Sequence, residues 1–310
     1  MSTAKNSFIF FAIALVFSSG CSPAPKKAET LLPIQIVATT GMVGDLVRNI
    51  GGQRVQVEAL MGAGVDPHLY KATASDITKL GSAHIIFYNG LALEGKMGDV
   101  FVRLSRKNPN VIAVTEEIDL TKILEPAMFQ GHYDPHVWFD VLLWSEAAER
   151  VMKALKEYDP QGSVLYQNNF QKYKKELLDL HQWCLQRGKE LPKEKRILVT
   201  SHDAYNYFGR AYAFRVVGLQ GISTVTQAGL ADISRMVDFI IENKVKAIFI
   251  ETSVSPKSIQ RVQADSKARG WDVKIGGELF SDAMGKAGRP EGTYVGMVKH
   301  NMNTIVDNLK

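Results

Sequence analysis

The sequence has little cysteine, no long apolar run and no concentration of charge of one sign. Its 310 residues include two cysteines, Cys21 and Cys184, which excludes a disulfide framework and a zinc site built from cysteines. The run Phe8–Phe17 has ten apolar residues, whereas a membrane-spanning helix needs about 20. The net charge is +5, and Lys and Arg alternate with Asp and Glu along the chain. Nucleic-acid-binding proteins usually concentrate basic residues on one face, so no nucleic-acid partner is expected.

The first 20 residues are typical of an export signal. Lys5 precedes the apolar run Phe8–Phe17, and the small residues Ser18–Gly20 lead to Cys21. A charged start, a short apolar stretch and small residues before a cleavage point define a secretory signal peptide. The residues that end at Cys21 also resemble a bacterial lipobox, in which the cysteine carries lipid. The alternative is an ordinary signal peptide, because Ser18 stands where a leucine is usual.

We therefore expect residues 1–20 to be removed on export. Residues 21–33 would form a lipidated and flexible tether, since Pro, Lys and Ala dominate there and cannot bury a core. The remainder would be a periplasmic or cell-surface protein, anchored to the membrane through the lipid on Cys21.

The rest of the chain alternates short β-branched runs with amphipathic segments. Strands are predicted at residues 34–38, 54–60, 83–88, 111–114, 196–201, 214–217, 247–251 and 273–275. Helices are predicted at residues 42–50, 75–80, 96–105, 230–243, 256–269 and 293–309. This alternation is typical of an α/β fold with mainly parallel sheets flanked by helices. We expect two lobes, residues 34–158 and 192–310.

Residues 159–191 predict one long helix between the lobes. Asp159 and Pro160 are typical of a helix start, and no further proline occurs before Pro192. Apolar residues recur at helical spacing, at Phe170, Tyr173, Leu177, Leu180 and Cys184. About 30 helical residues extend ~45 Å, which is enough to join both lobes rigidly. This arrangement predicts that the lobes close only slightly when a ligand binds. It also predicts that the ligand site lies in the cleft between them.

Three of the seven histidines stand where they could bind a metal ion. His68 and His136 each follow an Asp-Pro dipeptide, whose proline restricts the backbone and preorganises the imidazole. His202 and Asp282 each follow a predicted strand, at the strand end where open α/β sheets bind ligands. Three imidazoles and one carboxylate form a four-ligand set for Zn²⁺ or a related divalent ion.

Several other residues are candidates for supporting roles. Asp66, Asp134 and Glu251 could hold the imidazoles in one tautomer, although Asp before Pro is equally common in plain turns. Trp138 could form a wall of the site or pack in the core. His132 is expected to be a solvated loop residue. Local structural or surface roles are expected for the remaining histidines and the second cysteine, which are His84, His181, His300 and Cys184.

Six segments resemble the signature sequences of one family. They are IVATTGMVGDLVRNIGG (36–52), GVDPHLY (64–70), DPHVWFD (134–140), TSHDAYNYFGRAY (200–212), GELFSDAMG (277–285) and PEGTYVGMVKHNMNTIV (290–306). The family is that of the zinc/manganese-type (cluster A-I) solute-binding proteins of metal ABC transporters. The resemblance extends from about residue 34 to the C-terminus.

The resemblance implies a monomeric receptor, not an enzyme, that captures a metal ion between its lobes and delivers it to a membrane permease. The implied ligands are His68, His136, His202 and Asp282. The implied ion is Zn²⁺ or Mn²⁺, with Fe²⁺ as a further possibility. Dedicated zinc receptors often carry a long His-rich loop, and residues 125–133 contain only His132. The resemblance therefore does not imply zinc specificity.

Two other function classes remain open at the level of sequence. A secreted metallohydrolase would use one of the four residues as a base, because a catalytic zinc keeps one position open for water. A surface adhesin would be compatible with a lipid tether. A receptor needs neutral imidazoles, so its metal affinity is expected to fall steeply below about pH 6.

Overall fold

The computed structural model describes residues 31–126 and 131–310, so the expected signal peptide and Cys21 lie outside the described residues. The described residues form eight strands and nine α-helices. The strands are β1 Ile34–Ala38, β2 Val55–Ala59, β3 Ile85–Tyr88, β4 Val111–Ala113, β5 Ile197–His202, β6 Arg215–Gln220, β7 Ala247–Glu251 and β8 Lys274–Leu279. The helices are α1 Gly41–Gly51, α2 Ala74–Ser82, α3 Gly98–Ser105, α4 Val141–Tyr158, α5 Ser163–Lys189, α6 Asn206–Tyr212, α7 Leu230–Glu242, α8 Lys257–Ala268 and α9 Tyr294–Leu309.

The N-terminal lobe is built on a parallel sheet of four strands in the order β2-β1-β3-β4. Ile36 of β1 lies opposite Val57 of β2 and Ile85 of β3. Helices cover the sheet, and each needs a cap for its free N–H groups. Thr40 accepts a hydrogen bond from the N–H of Val43 at the start of α1.

The C-terminal lobe contains two parallel pairs, β5 with β6 and β7 with β8. Strand β5 lies next to β7. The β7–β8 pairing shifts register between Ile248 and Ile250. The prediction of two α/β lobes with parallel strands is confirmed, and the strands of the second lobe form two pairs rather than one continuous ladder.

Helix α5 has 27 residues and extends ~40 Å. It packs against α1 and α4 of the N-terminal lobe and against α9 of the C-terminal lobe. Its predicted apolar face is buried, with Phe170, Tyr173, Leu177, Leu180 and Cys184 in the core.

The helical segment begins at Pro160, as predicted, but its first turn and its cap differ from the prediction. Pro160–Gly162 forms a 3-10 turn, and the α-helix begins at Ser163. The carboxylate of Asp159 does not cap the helix, because it accepts hydrogen bonds from Arg54 Nε at 2.6 Å and from the hydroxyl of Tyr166 at 2.6 Å.

An apolar core extends across both lobes, and the described residues of each lobe also form a smaller apolar cluster. The shared core contains Ile36 of β1, Trp144 of α4, Leu177 of α5, and Tyr294 and Met302 of α9. The lobes are therefore joined by packing as well as by the chain. In residues 31–126 and 131–310, no helix combines the length and apolar character that a membrane span requires.

Candidate metal centre

Four side chains predicted as ligands meet at the junction of the lobes. They are His68, His136, His202 and Asp282, and none is more than 4% exposed. Their ligand atoms all lie within 4.8 Å of one another. Nε2 of His68 is 3.4 Å from Nε2 of His136, and Nε2 of His202 is 3.2 Å from Oδ2 of Asp282. Donors around one ion with bonds of about 2.1 Å stand about 3.4 Å apart, so the cluster encloses a space the size of one transition-metal ion.

The two Asp-Pro-His tripeptides fold alike. Oδ1 of Asp66 accepts a hydrogen bond from the N–H of His68 at 2.8 Å, and Oδ1 of Asp134 accepts one from the N–H of His136 at 3.0 Å. An aspartate that binds the amide two residues later closes a tight turn. The repeated tripeptide therefore places each imidazole at the tip of a rigid turn.

The further contacts of the two turn carboxylates, Asp134 and Asp66, differ. Asp134 holds the ring of its histidine, because His136 Nδ1 donates to Oδ1 at 2.7 Å while Asn206 donates to Oδ2 at 3.0 Å. Asp66 instead reaches across to the C-terminal lobe, where the hydroxyl of Thr224 donates to Oδ2 at 2.6 Å. The ring of His136 is thus fixed by a carboxylate, whereas the hydrogen bond from His68 to Asp66 comes from the backbone and not from the ring.

The ring of His202 is fixed by Glu251. His202 ends β5, Glu251 ends β7, and the ring Nδ1 donates to Oε2 of Glu251 at 2.5 Å. A carboxylate on Nδ1 selects the tautomer in which Nε2 carries no proton and can bind a metal. Two of the three predicted supporting carboxylates, Asp134 and Glu251, therefore contact an imidazole directly.

Asp282 lies in the loop after β8, which is held from several sides. Among the described residues, the polar groups that face the carboxylate of Asp282 are the ring nitrogens of the cluster, with Nε2 of His136 at 3.4 Å from Oδ1 and Nε2 of His202 at 3.2 Å from Oδ2. The preceding backbone is fixed, because Trp138 Nε1 donates to the carbonyl of Ser281 at 3.1 Å, and Tyr205 and Asn301 donate to the carbonyl of Phe280 at 3.0 and 2.7 Å. These hydrogen bonds hold Asp282 where its carboxylate faces the three imidazoles.

The electrostatics of the site favour protons in the absence of a metal. Burial lowers the pKa of His136, but Asp134 and Asp282 outweigh it and raise the pKa to about 9. Burial also opposes the charge on His202, yet Asp282 and Glu251 hold its pKa well above the ordinary value. At His68 burial prevails and lowers the pKa to about 4. An ion that enters must therefore displace protons from His136 and His202.

The other histidines lie outside the cluster. His132 is exposed and lines a cavity of about 680 Å³ between the lobes. Nδ1 of His84 accepts a hydrogen bond from the N–H of Gln35. The ring of His181 is half-buried beside Tyr212. The ring of His300 contacts Phe280, and its Nε2 donates to the carbonyl of Glu278.

Four residues that support the site were not predicted from the sequence: Thr224, Asn206, Tyr205 and Asn301. Asn206 and Tyr205 stand in the segment that follows His202, so their proximity to that ligand in sequence was the available signal. Thr224 contacts a residue 158 positions away, and nothing local marks it.

Two lobes around a buried site with all its donors directed inward define a binding protein for a small cation. The family described as zinc-uptake complex component A, periplasmic, matches residues 36–308. The manganese-binding lipoprotein MntA of Bacillus subtilis is 44% identical over 302 residues, which cover 97% of this chain and 97% of MntA. The metal ABC transporter substrate-binding lipoprotein SloC of Streptococcus mutans is 31% identical over 281 residues, 89% of this chain and 90% of SloC.

A solved structure shares the fold. The periplasmic zinc binding protein TroA from Treponema pallidum superimposes with a TM-score of 0.86 at 47% sequence identity, covering 89% of this chain and 98% of TroA. This chain therefore belongs to the family of periplasmic zinc-uptake components, whose members are substrate-binding proteins and not enzymes.

Proposed function

We propose that this chain is the extracytoplasmic receptor of a metal ABC transporter, which captures a divalent transition-metal ion between its lobes and delivers it to a membrane permease. The carrying observation is the convergence of three imidazole nitrogens and one buried carboxylate, whose ligand atoms all lie within 4.8 Å of one another. Without an ion the carboxylate of Asp282 is balanced by protons on His136 and His202, and a bound cation takes the place of those protons. The manganese-binding, zinc-binding and metal-transporter names of the relatives support the proposal.

The proposed ligands are Nε2 of His68, His136 and His202 together with the carboxylate of Asp282. Asp134 and Glu251 occupy Nδ1 of two of these rings, which leaves Nε2 for the ion. The argument for Asp282 is that its oxygens face different rings: Oδ1 lies 3.4 Å from His136 Nε2 and Oδ2 lies 3.2 Å from His202 Nε2.

The proposed cargo is Zn²⁺ or Mn²⁺. With one oxygen of Asp282 the site offers four donors, the number that structural zinc prefers. With both oxygens of Asp282 the site offers five donors, and a second carboxylate oxygen suits Mn²⁺. Fe²⁺ binds the same types of donor, so the relative affinities must be measured.

The arrangement argues for cargo binding and against the metallohydrolase. A catalytic zinc keeps one position open for water, whereas the four proposed ligands here surround the site and are buried. The family relationship argues in the same direction.

We further propose how the chain is anchored to the membrane and how it is divided into lobes. Residues 1–20 would be a signal peptide, and lipid on Cys21 would anchor a tether of residues 21–33 at the periplasmic or cell-surface face of a membrane. The N-terminal lobe (34–158), spanning helix (159–191) and C-terminal lobe (192–310) would act as a monomer.

The experiment is a metal titration of the full chain, purified in detergent without added metal. One equivalent of bound Zn²⁺ or Mn²⁺ that is lost in His202→Ala would support the proposal, and competition between the ions would identify the cargo. His84→Ala is the matched control, because His84 is half-buried and lies outside the cluster. An absence of stoichiometric metal, or binding unaffected by His202→Ala, would overturn it.

A further inference from the structure

The four proposed ligands are not equally enclosed. Of them, only His68 borders the 680 Å³ cavity between the lobes. His136, His202 and Asp282 lie behind it and are at most 1% exposed. An ion that travels through the cavity therefore reaches or leaves the site past His68.

His68 is also the ligand with the weakest support. Carboxylates hold the rings of His136 and His202 through Nδ1. Within residues 31–126 and 131–310, we find no side chain that hydrogen-bonds Nδ1 of His68. Its position depends on the His68 loop, residues 60–73 between β2 and α2, and on the turn that Asp66 closes.

The His68 loop is fastened to the opposite lobe at one point. The hydroxyl of Thr224 donates to Oδ2 of Asp66 at 2.6 Å, while Oδ1 of the same carboxylate binds the N–H of His68 at 2.8 Å. In the described part of the chain this is the one hydrogen bond that we find between the His68 loop and the C-terminal lobe. A single carboxylate thus connects Thr224 to the backbone of His68.

Thr224 is suited to this role by its position. It is 6% exposed and lies between β6 and α7, in the segment that forms one side of the cavity. A hydroxyl that donates to a carboxylate makes a charge-assisted hydrogen bond, which is stronger than a neutral one. Nearby, Gly64 has a φ of 74°, and a Cβ there would lie 3.3 Å from the carbonyl of Thr252, so the loop approaches the C-terminal lobe closely.

We propose that the Thr224–Asp66 hydrogen bond closes the His68 side of the metal site and sets how fast the ion is released. Thr224 is then a positioning residue that acts on His68 through Asp66. This inference rests on the proposed metal-binding function. Exchange would require only a local opening of the His68 loop, without separation of the lobes.

The test measures release of Zn²⁺ from the full chain, purified in detergent, after mixing with excess chromogenic chelator. Thr224→Val keeps the side-chain shape and removes the donor, so release is expected to be about tenfold faster. Thr224→Ser restores a hydroxyl and is expected to release at a rate close to that of the unsubstituted protein. Thr226→Val is the matched control, since Thr226 is exposed in the same segment and lines the same cavity.

The outcomes separate this inference from the function on which it rests. One Zn²⁺ bound by every protein, with faster release in Thr224→Val alone and a metal-free unfolding midpoint shifted by less than about 2 °C, supports it. One Zn²⁺ bound, but equal release rates in Thr224→Val and the unsubstituted protein, overturns the closing role of Thr224 only. Fast release in both Thr224→Val and Thr224→Ser also overturns it. Failure of the unsubstituted protein to bind Zn²⁺ or Mn²⁺ overturns both proposals.

Discussion

Glu251 binds His202 at two points. Oε1 accepts a hydrogen bond from the main-chain N–H of His202 at 2.9 Å, and Oε2 accepts one from the ring Nδ1 at 2.5 Å. The two residues end the neighbouring strands β7 and β5. One carboxylate therefore fixes both the backbone and the tautomer of a proposed ligand, and the strand ends bring it there.

Replacing Glu251 by Gln is expected to weaken metal binding. An amide has one acceptor oxygen and one donor nitrogen, so it cannot accept from both the N–H and the ring of His202. If the amide nitrogen faces Nδ1, the ring proton moves to Nε2 and blocks the ion. Loss of such a supporting carboxylate costs about 10–100-fold in metal affinity.

Isothermal titration with Zn²⁺ or Mn²⁺ measures this loss. Glu242→Gln is the matched control, because Glu242 is exposed at the end of α7. Equal affinities of the Glu251→Gln and Glu242→Gln variants would show that the contact does not support His202.

Metal binding is expected to release protons at neutral pH. The carboxylates of Asp134 and Asp282 raise the pKa of His136 to about 9 against burial, so the metal-free ring carries a proton that the ion must displace. Affinity should therefore keep rising from about pH 6.5 to 9, beyond the pH 6 limit that unperturbed histidines predict. Calorimetry in buffers of different ionisation enthalpy measures the protons released, and a value of zero would contradict the shift.

The same pKa governs the stability of the metal-free protein. A raised pKa means that the folded state holds the proton more tightly than the unfolded state, in which the ordinary value is 6.5. The resulting stability is fully present below pH 6.5 and is lost as the pH rises through about 9. The unfolding midpoint of the metal-free protein should fall over this range. His136→Gln cannot titrate and should remove that part of the fall.

The parts of the site that sequence predicted are locally encoded. Proline restricts the backbone before His68 and His136, and His202 ends a strand of β-branched residues. Such features depend on a few neighbouring residues, and the structure brings all four predicted residues together. The α/β fold class was predictable for the same reason, because strand and helix periodicity are local patterns.

Most of the features that the sequence did not predict depend on contacts between residues far apart in the chain. Asp159 does not cap the helix that follows it, because its carboxylate binds Arg54, 105 residues away. Thr224 and Asp66 stand 158 residues apart in sequence and belong to different lobes. Helices α4 and α6 were also missed, although α4 has a local cap in Asp140, which accepts from the N–H of Leu142.

Replacing Arg54 by Ala is expected to destabilise the junction of the N-terminal lobe and α5. Arg54 donates to both oxygens of Asp159, which is fully buried, at 2.6 and 3.0 Å. Burial raises the pKa of Asp159, but the hydrogen bonds from Arg54 and Tyr166 hold it below the ordinary value. Removing Arg54 leaves the buried carboxylate with the hydroxyl of Tyr166 but without its cationic partner, at a cost of about 3 kcal/mol.

Chemical denaturation of the metal-free protein measures this free energy of unfolding. The control is Arg106→Ala, because Arg106 is exposed just after α3 and its loss should change little. Metal affinity should be unchanged in Arg54→Ala, since Arg54 lies outside the ligand cluster. A loss of stability no larger than that of Arg106→Ala would contradict the prediction.

Metal binding is expected to leave the angle between the lobes nearly unchanged. Trp138 donates to the carbonyl of Ser281 at 3.1 Å, and Tyr294 donates to the carbonyl of Trp138 at 2.6 Å. These bonds cross between the lobes within a shared apolar core. A wide hinge opening would expose that core to water at a large cost in free energy.

Small-angle scattering should give a radius of gyration near 19 Å for the folded lobes, with metal-free and metal-bound states differing by less than about 1 Å. Trp138→Phe removes the donor to Ser281 and should widen that difference, whereas a large difference in the unsubstituted protein would show that the shared core separates during binding.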